Sequence, residues 1–378
     1  MKTNIYPKLL ITFFLLVING ATSAYVENVV NGYPNCLACH VNPTGGGVLT
    51  DYGRSLSSEL MSTIKTKNFQ NPYYGLLKNN QHIKWGGQVR TIQTRFENDQ
   101  IKRGSSFIMQ NNVEAAAYVR DFVFVGTVGT REGPKNRTPK KGEFISERHY
   151  LLWNTDQTSR VKVGKFRQNY GLNDPNHTRF TKQNLGFGSN TESYQLEYFK
   201  IFENGEVVLS TSLGRLDIPQ TAQNERNFMG QYTHYLAGKS RLTGNVLLGE
   251  TSTQRRSLYG INGIMPLFSK KNYLKFQLDY QVSRTLNNAP RADKTHALFG
   301  NIILGTKPFD GLWTYFVYEH QQTDLEQSRQ TMTTSPGVGI NFFPISHVEV
   351  QFEHQYRTAH ATKDNPDHRS FLVFHLYH

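Results

Sequence analysis

The chain has 378 residues and a formal net charge of +13, from 42 lysines and arginines against 29 acidic residues. These basic residues are scattered through alternating polar and apolar segments, which argues against a nucleic-acid-binding arm. Only two cysteines occur, so a Cys-rich zinc site with two cysteine pairs is ruled out. The counts of 20 Tyr, 24 Phe and 31 Gly are typical of barrels with aromatic girdles and tight turns.

Residues 1–24 have the pattern of a secretory signal peptide. Lys2 and Lys8 form a positive n-region, residues 9–18 form a short apolar h-region, and small residues lead up to Ala24. We expect cleavage after Ala24 and export of the rest of the chain. No later run approaches 18 apolar residues, so the sequence predicts no transmembrane helix.

The exported chain begins with one C-x-x-C-H motif, formed by Cys36, Cys39 and His40. This spacing is that of a c-type haem attachment site, in which both thiols form thioethers and the histidine binds the iron. We therefore predict one covalent haem c, with His40 as the proximal ligand. A disulfide or redox pair of Cys36 and Cys39, or half of a zinc site, are the alternatives. No βαβ pattern of the kind expected beside a redox C-x-x-C follows the motif.

The sixth ligand of the iron is not determined by any spacing rule. Met61 and His82 are the two candidate ligands near the motif. The alternatives are a water, a side chain of the lumen or an open coordination site. Asp51 is predicted to cap a helix over residues 52–63, whose apolar stripe contains Tyr52, Leu56 and Leu60. The haem segment, residues 25–81, is too small to bury a haem well, so the rest of the chain is expected to cover it.

Residues 82–378 show a different pattern, in which polar and apolar residues alternate with the period of a β-strand. We predict sixteen strands, at residues 82–96, 106–119, 121–130, 143–153, 160–167, 191–202, 206–214, 226–236, 241–250, 254–265, 272–284, 295–306, 312–320, 329–342, 348–357 and 367–378. Their connections alternate between short and long, as in an outer-membrane barrel with short periplasmic turns. The predicted fold is mostly β, a 16-stranded antiparallel barrel with the haem segment as plug or periplasmic cap. The alternative is an all-β sandwich.

Two connections contain residues that could bind a ligand. The longest, residues 168–190, resembles the inward-folding loop of phosphate-selective and related porins, and it holds Asp174, His177 and Arg179. Turn-forming residues dominate this loop, however, so a solvated or self-packed loop is the expectation. Residues 131–141 are basic and could contact lipopolysaccharide phosphates, although a merely solvated loop is expected there as well.

One haem motif followed by about sixteen strands resembles the fused monohaem cytochrome–porin family of outer-membrane electron-transfer proteins, which includes iron-oxidising members. At the level of motif, the resemblance is carried by Cys36, Cys39 and His40. It implies a bacterial outer-membrane location, a periplasmic electron carrier and an extracellular redox donor or acceptor, with Fe(II) among the donors. The residues that flank the motif differ from the iron-oxidising pattern.

Three functions follow from these features. The first is an electron conduit, because a haem held inside a barrel would carry single electrons across an insulating membrane. The second is a diffusion porin that the haem-bearing segment gates or plugs, and the third is an enzyme with an open haem coordination site. We expect an electron-transfer protein rather than a substrate-converting enzyme.

Overall fold

The computed structural model describes residues 26–65, 71–78, 80–135, 138, 140–188, 191–216, 224–237, 239–286, 294–362 and 365–378. The predicted signal peptide lies outside these residues. Part of the basic loop, at residues 136, 137 and 139, also lies outside them.

Sixteen antiparallel strands form one closed barrel, in which each strand pairs with the next and the first pairs with the last. The prediction of sixteen strands is confirmed, and the sandwich alternative is wrong because every strand has two neighbours. The strands are β1 (Ile83–Glu97), β2 (Lys102–Val119), β3 (Phe122–Thr130), β4 (Phe144–Asn154), β5 (Ser159–Phe166), β6 (Ser193–Phe202), β7 (Gly205–Ser212), β8 (Arg226–Leu236), β9 (Ser240–Glu250), β10 (Gln254–Leu267), β11 (Ser269–Thr285), β12 (Lys294–Phe309), β13 (Leu312–Gln322), β14 (Met332–Phe342), β15 (Val348–Ala359) and β16 (Asp367–Tyr377).

The helical elements are short. They are 3-10 turns at Val26–Asn31, Pro72–Gly75 and His360–Thr362, π turns at Ser57–Met61 and Phe180–Asn184, and the α-helices α1 (Asp51–Leu56) and α2 (Ser328–Thr331). Within the part of the chain that the structure describes, no helix is long and apolar enough to cross a membrane.

The connections at the two ends of the barrel differ in length. Those after the even-numbered strands, such as residues 120–121 and 310–311, have one to five residues. Most of those after the odd-numbered strands are longer, up to residues 167–192 between β5 and β6. Since bacterial barrels have short periplasmic turns, the end with the short turns corresponds to the periplasm, and both β1 and β16 meet it.

The two faces of the barrel wall have opposite polarity. In β3, Phe122, Phe124 and Val128 are exposed on the outside, while Val123 and Thr127 are buried inside. Elsewhere the inward positions are mostly polar, among them Glu114, Lys162, Glu197, Gln231, Asn245, Asn262, Gln277, Asp279, Asn301, Glu319 and Glu353. An apolar outside and a polar inside are typical of a barrel that faces lipid and surrounds a water-filled or plugged lumen.

Residues 26–65, here called the plug, lie inside the barrel towards its short-turn end. Val29, Val30 and Met61 pack with inward side chains that include Ile264 and Trp313. The plug reaches the turn after β12, where Lys65 Nζ lies 2.5 Å from Asp310 Oδ2. The barrel wall therefore supplies the burial that the plug cannot provide for itself.

Candidate cofactor site in the barrel lumen

The C-x-x-C-H motif forms a single helical turn. The Cys39 and His40 amides donate to the Cys36 carbonyl over 3.2 and 3.0 Å, the pattern of i to i+3 and i to i+4 hydrogen bonds. Residues at positions i, i+3 and i+4 lie on one face of a helical turn. Both thiols and the imidazole therefore project to the same side, as attachment of one porphyrin requires.

The residues after the motif fold back on it. The His40–Leu49 bridge closes a loop over residues 41–48, and the Thr50 amide donates to the Cys39 carbonyl over 2.9 Å. Thr50, not Asp51, is the N-cap of α1, because its hydroxyl accepts from the Gly53 amide over 3.0 Å. Asp51 is instead the first residue of α1, and its carboxylate pairs with Lys84 at 2.6 Å.

The predicted helix and its apolar stripe are confirmed only in part. α1 ends at Leu56 and continues as the π turn to Met61, two residues short of the predicted end. Leu56 packs with Cys39 and Tyr33, and Leu60 packs against the same cluster. Tyr52 is about half exposed, and its ring meets Tyr33 edge to face.

The residues present fit a c-type haem. Two thiols and one imidazole on one face are the donor set that the group needs. Cys36 and His40 are only half-buried although they lie within the barrel, and a Cβ added to Gly46 would meet nothing within 4 Å. Space is therefore open beside Cys36, His40 and Gly46, whereas Cys39 is fully buried against Tyr33 and Leu56. Gly45, at φ +86°, lets the backbone approach Cys36, since a Cβ there would lie 3.1 Å from Cys36 Sγ.

The protonation of the two thiols bears on the alternatives. Burial raises the pKa of Cys36 to about 11 and, aided by the proximity of Cys36, that of Cys39 to about 12. Thiol–disulfide exchange and zinc binding both need a thiolate, which such surroundings disfavour. Among the described residues, no group of three or more His, Cys, Asp or Glu side chains is placed to hold a metal ion.

Two cations of the barrel wall, the partly exposed Arg241 and the buried Lys162, hold the plug on the two sides of the motif. Before it, Arg241 donates to the Pro34 carbonyl at 3.4 Å and pairs with Glu206 at 2.9 Å. After it, Lys162 donates to the Asn42 side chain at 2.9 Å. Lys162 also pairs with Glu197 at 2.6 Å, and both side chains are almost completely buried.

A third cation belongs to the plug itself. Arg54 on α1 donates to the Trp85 carbonyl of β1 at 2.9 Å. The plug is thus fixed to β1, β5 and β9 around the barrel. These contacts favour a plug that stays in place over a plug that moves to open the barrel.

The two candidate distal ligands lie apart from the motif turn. Met61 is buried in the apolar cluster that contains Val29 and Trp313, a different cluster from that of Cys39. His82 is exposed and precedes β1. The identity of a sixth ligand remains a prediction.

The loop between β5 and β6 folds into the lumen, so the expectation of a solvated loop is wrong. The loop does pack on itself, since the rings of Tyr170 and Phe187 stack with their centres 4.7 Å apart. Arg179 is buried and lies 2.8 Å from Glu319 and 2.7 Å from Glu353, on β13 and β15. Asp174 faces Lys275 of β11 at 3.7 Å. Carboxylates that project from distant strands attract the loop cations inward, which turn-forming residues alone do not reveal.

The described residues 167–188 of this connection, here called the inner loop, meet the plug. Leu37, inside the motif, packs against a buried cluster that contains Tyr170, Phe180 and Leu185 of the loop. Asn173 donates from its side chain to the Thr44 carbonyl at 3.4 Å. The loop therefore covers the motif from the long-loop end of the barrel.

His177 is half-buried in the same loop, and burial together with the nearby Arg167 and Arg90 lowers its pKa to about 4.

Sequence reasoning did not single out Lys162, Glu197, Arg241 or Gly53. The signal for the first three was present, since each is a charged residue at an inward position of an alternating strand. Their partners in the plug could not be inferred, because 120 or more residues separate Asn42 from Lys162 and Pro34 from Arg241.

No protein-family model matches the sequence, and no curated protein matches it. Solved structures match the barrel. The outer-membrane channel DcaP of Acinetobacter baumannii is 14% identical, with a TM-score of 0.58, covering 80% of this chain and 99% of DcaP. OprB of Pseudomonas putida is 8% identical, with a TM-score of 0.61, covering 85% and 99%. An anion-selective porin of Comamonas acidovorans is 8% identical, with a TM-score of 0.59, covering 78% and 99%.

The chain has the fold of a bacterial outer-membrane β-barrel. Its sixteen strands close as in the porins it matches, and its exposed apolar face is the one that such a barrel turns to lipid. At 8–14% identity the likeness concerns the fold, so the function has to be argued from the site.

Proposed function

We propose that the protein is an outer-membrane electron conduit, in which one haem c attached at Cys36 and Cys39 passes single electrons between an extracellular partner and a periplasmic carrier. The observation that carries this proposal is the C-x-x-C-H turn inside the barrel lumen, with its three donor groups on one face. A bound haem supplies a one-electron carrier whose potential is set by ligands, burial and hydrogen bonds.

The role of the protein is to hold this group within an insulating layer. Arg241 and Lys162 fix the plug on either side of the motif, and Arg54 fixes α1 against β1. These three contacts are hydrogen bonds from charged donors, each worth about 1.5–3 kcal/mol, so together they hold the motif in one position in the barrel. The inner loop excludes water from the motif on the long-loop side through Leu37 and its apolar neighbours.

The partners follow from the two ends of the barrel. A carrier in the periplasm would approach the short-turn end, where Lys65 of the plug pairs with Asp310 in the turn after β12. A donor or acceptor outside the cell would approach over the inner loop. Electrons could pass in either direction between these partners, and Fe(II) is one candidate donor. Contact of residues 131–141 with lipopolysaccharide also remains a proposal.

A second candidate function is a solute channel in which the plug narrows the pore. The likeness to DcaP, OprB and the Comamonas porin favours it, and that likeness bears on a channel more directly than on a conduit. The inward residues of β6–β13 are largely buried, and so are those of β3 and most of those of β15. Any pore is therefore expected along the long-loop halves of β16, β1 and β2, where the inward side chains are half-buried.

Proteoliposomes separate the two functions. Vesicles would enclose a reduced, membrane-impermeant dye together with a labelled neutral sugar, with ferricyanide added outside. Dye oxidation without sugar release, lost in Cys36→Ala/Cys39→Ala, would support the conduit. Equal dye oxidation by wild type and variant would overturn it. Sugar release by both proteins would establish the channel instead.

A further inference from the structure

The lumen is not filled evenly. On β6–β13 the inward side chains are buried by the plug and the inner loop, as for Gln231, Asn245 and Gln277. Towards the long-loop ends of β16, β1 and β2 the inward side chains are only half-buried, and they include Ile92, Thr94, Phe96, Phe107 and Phe371. An accessible recess therefore runs along this side of the barrel.

Arg357 of β15 contributes a positive charge to this recess. It occupies an inward position, in alternation with Tyr356, which is exposed on the outside. Its guanidinium lies over the ring of Phe180, 4.5 Å from the ring centre. Its buried Nε–H has no acceptor within the described residues, and no ion pair of Arg357 is found among them.

Two further arginines extend the positive charge. Arg369 of β16 lies over the ring of Phe96 at 5.2 Å and pairs with Asp367 at 3.0 Å. Arg103 of β2 is exposed at the inward position opposite Phe96. Among the described ion pairs, the three guanidinium groups of Arg103, Arg357 and Arg369 therefore have one carboxylate partner, that of Asp367.

The other carboxylate near Arg357 is already engaged. Glu319 pairs with Arg179 at 2.8 Å, accepts from the Phe180 amide at 2.9 Å and accepts from Gln355 at 2.8 Å. Its charge is therefore shared with the inner loop. The recess keeps a local excess of positive charge.

We propose that this recess, lined by Arg103, Arg357, Arg369, Phe96 and Phe107 and here called the arginine–aromatic vestibule, binds anionic aromatic small molecules such as aryl sulfonates or carboxylates. The proposal goes beyond the conduit and does not depend on the haem, since it involves none of the residues of the motif.

The chemistry of the lining determines this ligand class. A guanidinium stacked on a ring keeps its N–H donors free at the edge, where they can bind a sulfonate or carboxylate in bidentate fashion. The half-buried rings of Phe96 and Phe107 offer apolar surface on which an aromatic body can pack, whereas Phe180 is buried beneath Arg357 and supports that side chain. A barrel interior with an excess of one charge also raises the local concentration of counter-charged solutes.

Calorimetric titration of the full-length mature protein in uncharged detergent tests the proposal. The probe is naphthalene-2,6-disulfonate, compared with sulfate and with the neutral naphthalene-2,6-diol. We expect saturable binding of the disulfonate and binding at least about tenfold weaker for each of the other two, the loss expected on removal of a charge-assisted contact or a stacked ring. Equal affinity for sulfate would overturn the aromatic part of the proposal. No binding of the disulfonate would overturn all of it.

Variants locate the site. Arg357→Gln is expected to weaken disulfonate binding about tenfold or more, and Arg357→Lys is expected to weaken it less, because the charge stays while the planar fork is lost. Arg255→Gln is the matched control, because Arg255 is an exposed arginine that pairs with Glu250 at 2.7 Å. Circular dichroism and heat-modifiable gel mobility confirm that each variant is folded. Unchanged binding in folded Arg357→Gln would place the ligand elsewhere and overturn the proposal.

Discussion

The Lys162 ammonium on β5 donates a hydrogen bond to the Asn42 side-chain oxygen over 2.9 Å, two residues after His40 of the motif. The same ammonium pairs with Glu197 on β6 at 2.6 Å, and neither side chain is exposed to solvent by more than 1%. One buried cation thus joins two strands of the wall to the plug beside the candidate haem site.

Loss of this cation should destabilise the protein. Lys162→Met leaves the Glu197 carboxylate buried without its partner, for which we expect a loss of about 3–5 kcal/mol in the free energy of unfolding. Lys162→Met/Glu197→Met removes both charges and should recover most of the loss. Urea unfolding followed by tryptophan fluorescence provides the measurement. Lys102→Met is the control, because Lys102 is exposed and pairs with Glu97 at 3.1 Å, so its removal should cost under about 1 kcal/mol.

Helix α1 depends on close contact with the motif turn. A Cβ on Gly53 would lie 2.7 Å from Cys39 Cα and 2.9 Å from its carbonyl carbon, so Gly53→Ala must displace either α1 or the motif. We expect markedly less covalent haem per barrel, measured by the ratio of Soret absorbance to protein. Gly126→Ala, on the exposed face of β3, meets nothing within 4 Å and should leave the ratio unchanged. A full haem load in Gly53→Ala would contradict the proposed site.

Arg179 anchors the inner loop to the wall. Arg179→Met leaves Glu319 and Glu353 buried together without the cation that lies within 2.8 Å of both. Repulsion between the carboxylates and the loss of about 3–5 kcal/mol of anchoring should release the loop. We expect a higher single-channel conductance in planar bilayers than for wild type, whereas Arg255→Met should behave as wild type. Equal conductance in both variants would show that the loop does not restrict the lumen.

His177 should make the stability of the protein depend on pH. Burial lowers the pKa of His177 to about 4, whereas the unfolded chain takes up this proton near pH 6.5. The stability that neutral His177 confers is therefore complete above about pH 6.5 and is lost as the pH falls towards 4. The temperature of heat-modifiable unfolding should fall over this range, and more steeply in wild type than in His177→Gln. His378, whose pKa burial also lowers to about 4, leaves a residual slope in the variant. Parallel curves for the two proteins would contradict the assignment.

The barrel was predictable because strand alternation is a local signal. In β11, alternate residues from Tyr273 to Asp279 lie on one face, and a one-residue shift would turn lysine and aspartate towards lipid. The register of this strand is therefore already implied by its sequence. Likewise, the motif turn follows from spacing alone, because residues 36, 39 and 40 share a face in any helical turn.

The contents of the lumen were not predictable in the same way. The inner loop is drawn inward by Arg179, whose partners Glu319 and Glu353 lie 140 and 174 residues later in the chain. Nothing local distinguishes this arginine from a solvated one. The N-cap was misassigned for a smaller reason: Thr50 and Asp51 are both good caps, and only the backbone geometry of Thr50 decides between them.

The most direct test of the central claim is a haem-stained denaturing gel with a visible spectrum of detergent-extracted outer membrane, comparing wild type with Cys36→Ala/Cys39→Ala. We predict a covalent haem band with sharp reduced α and β peaks in wild type, absent from a variant whose barrel still shows heat-modifiable mobility. A wild-type protein that is folded in the outer membrane and carries no covalent haem would contradict the account and leave a plugged barrel with two free thiols or a disulfide.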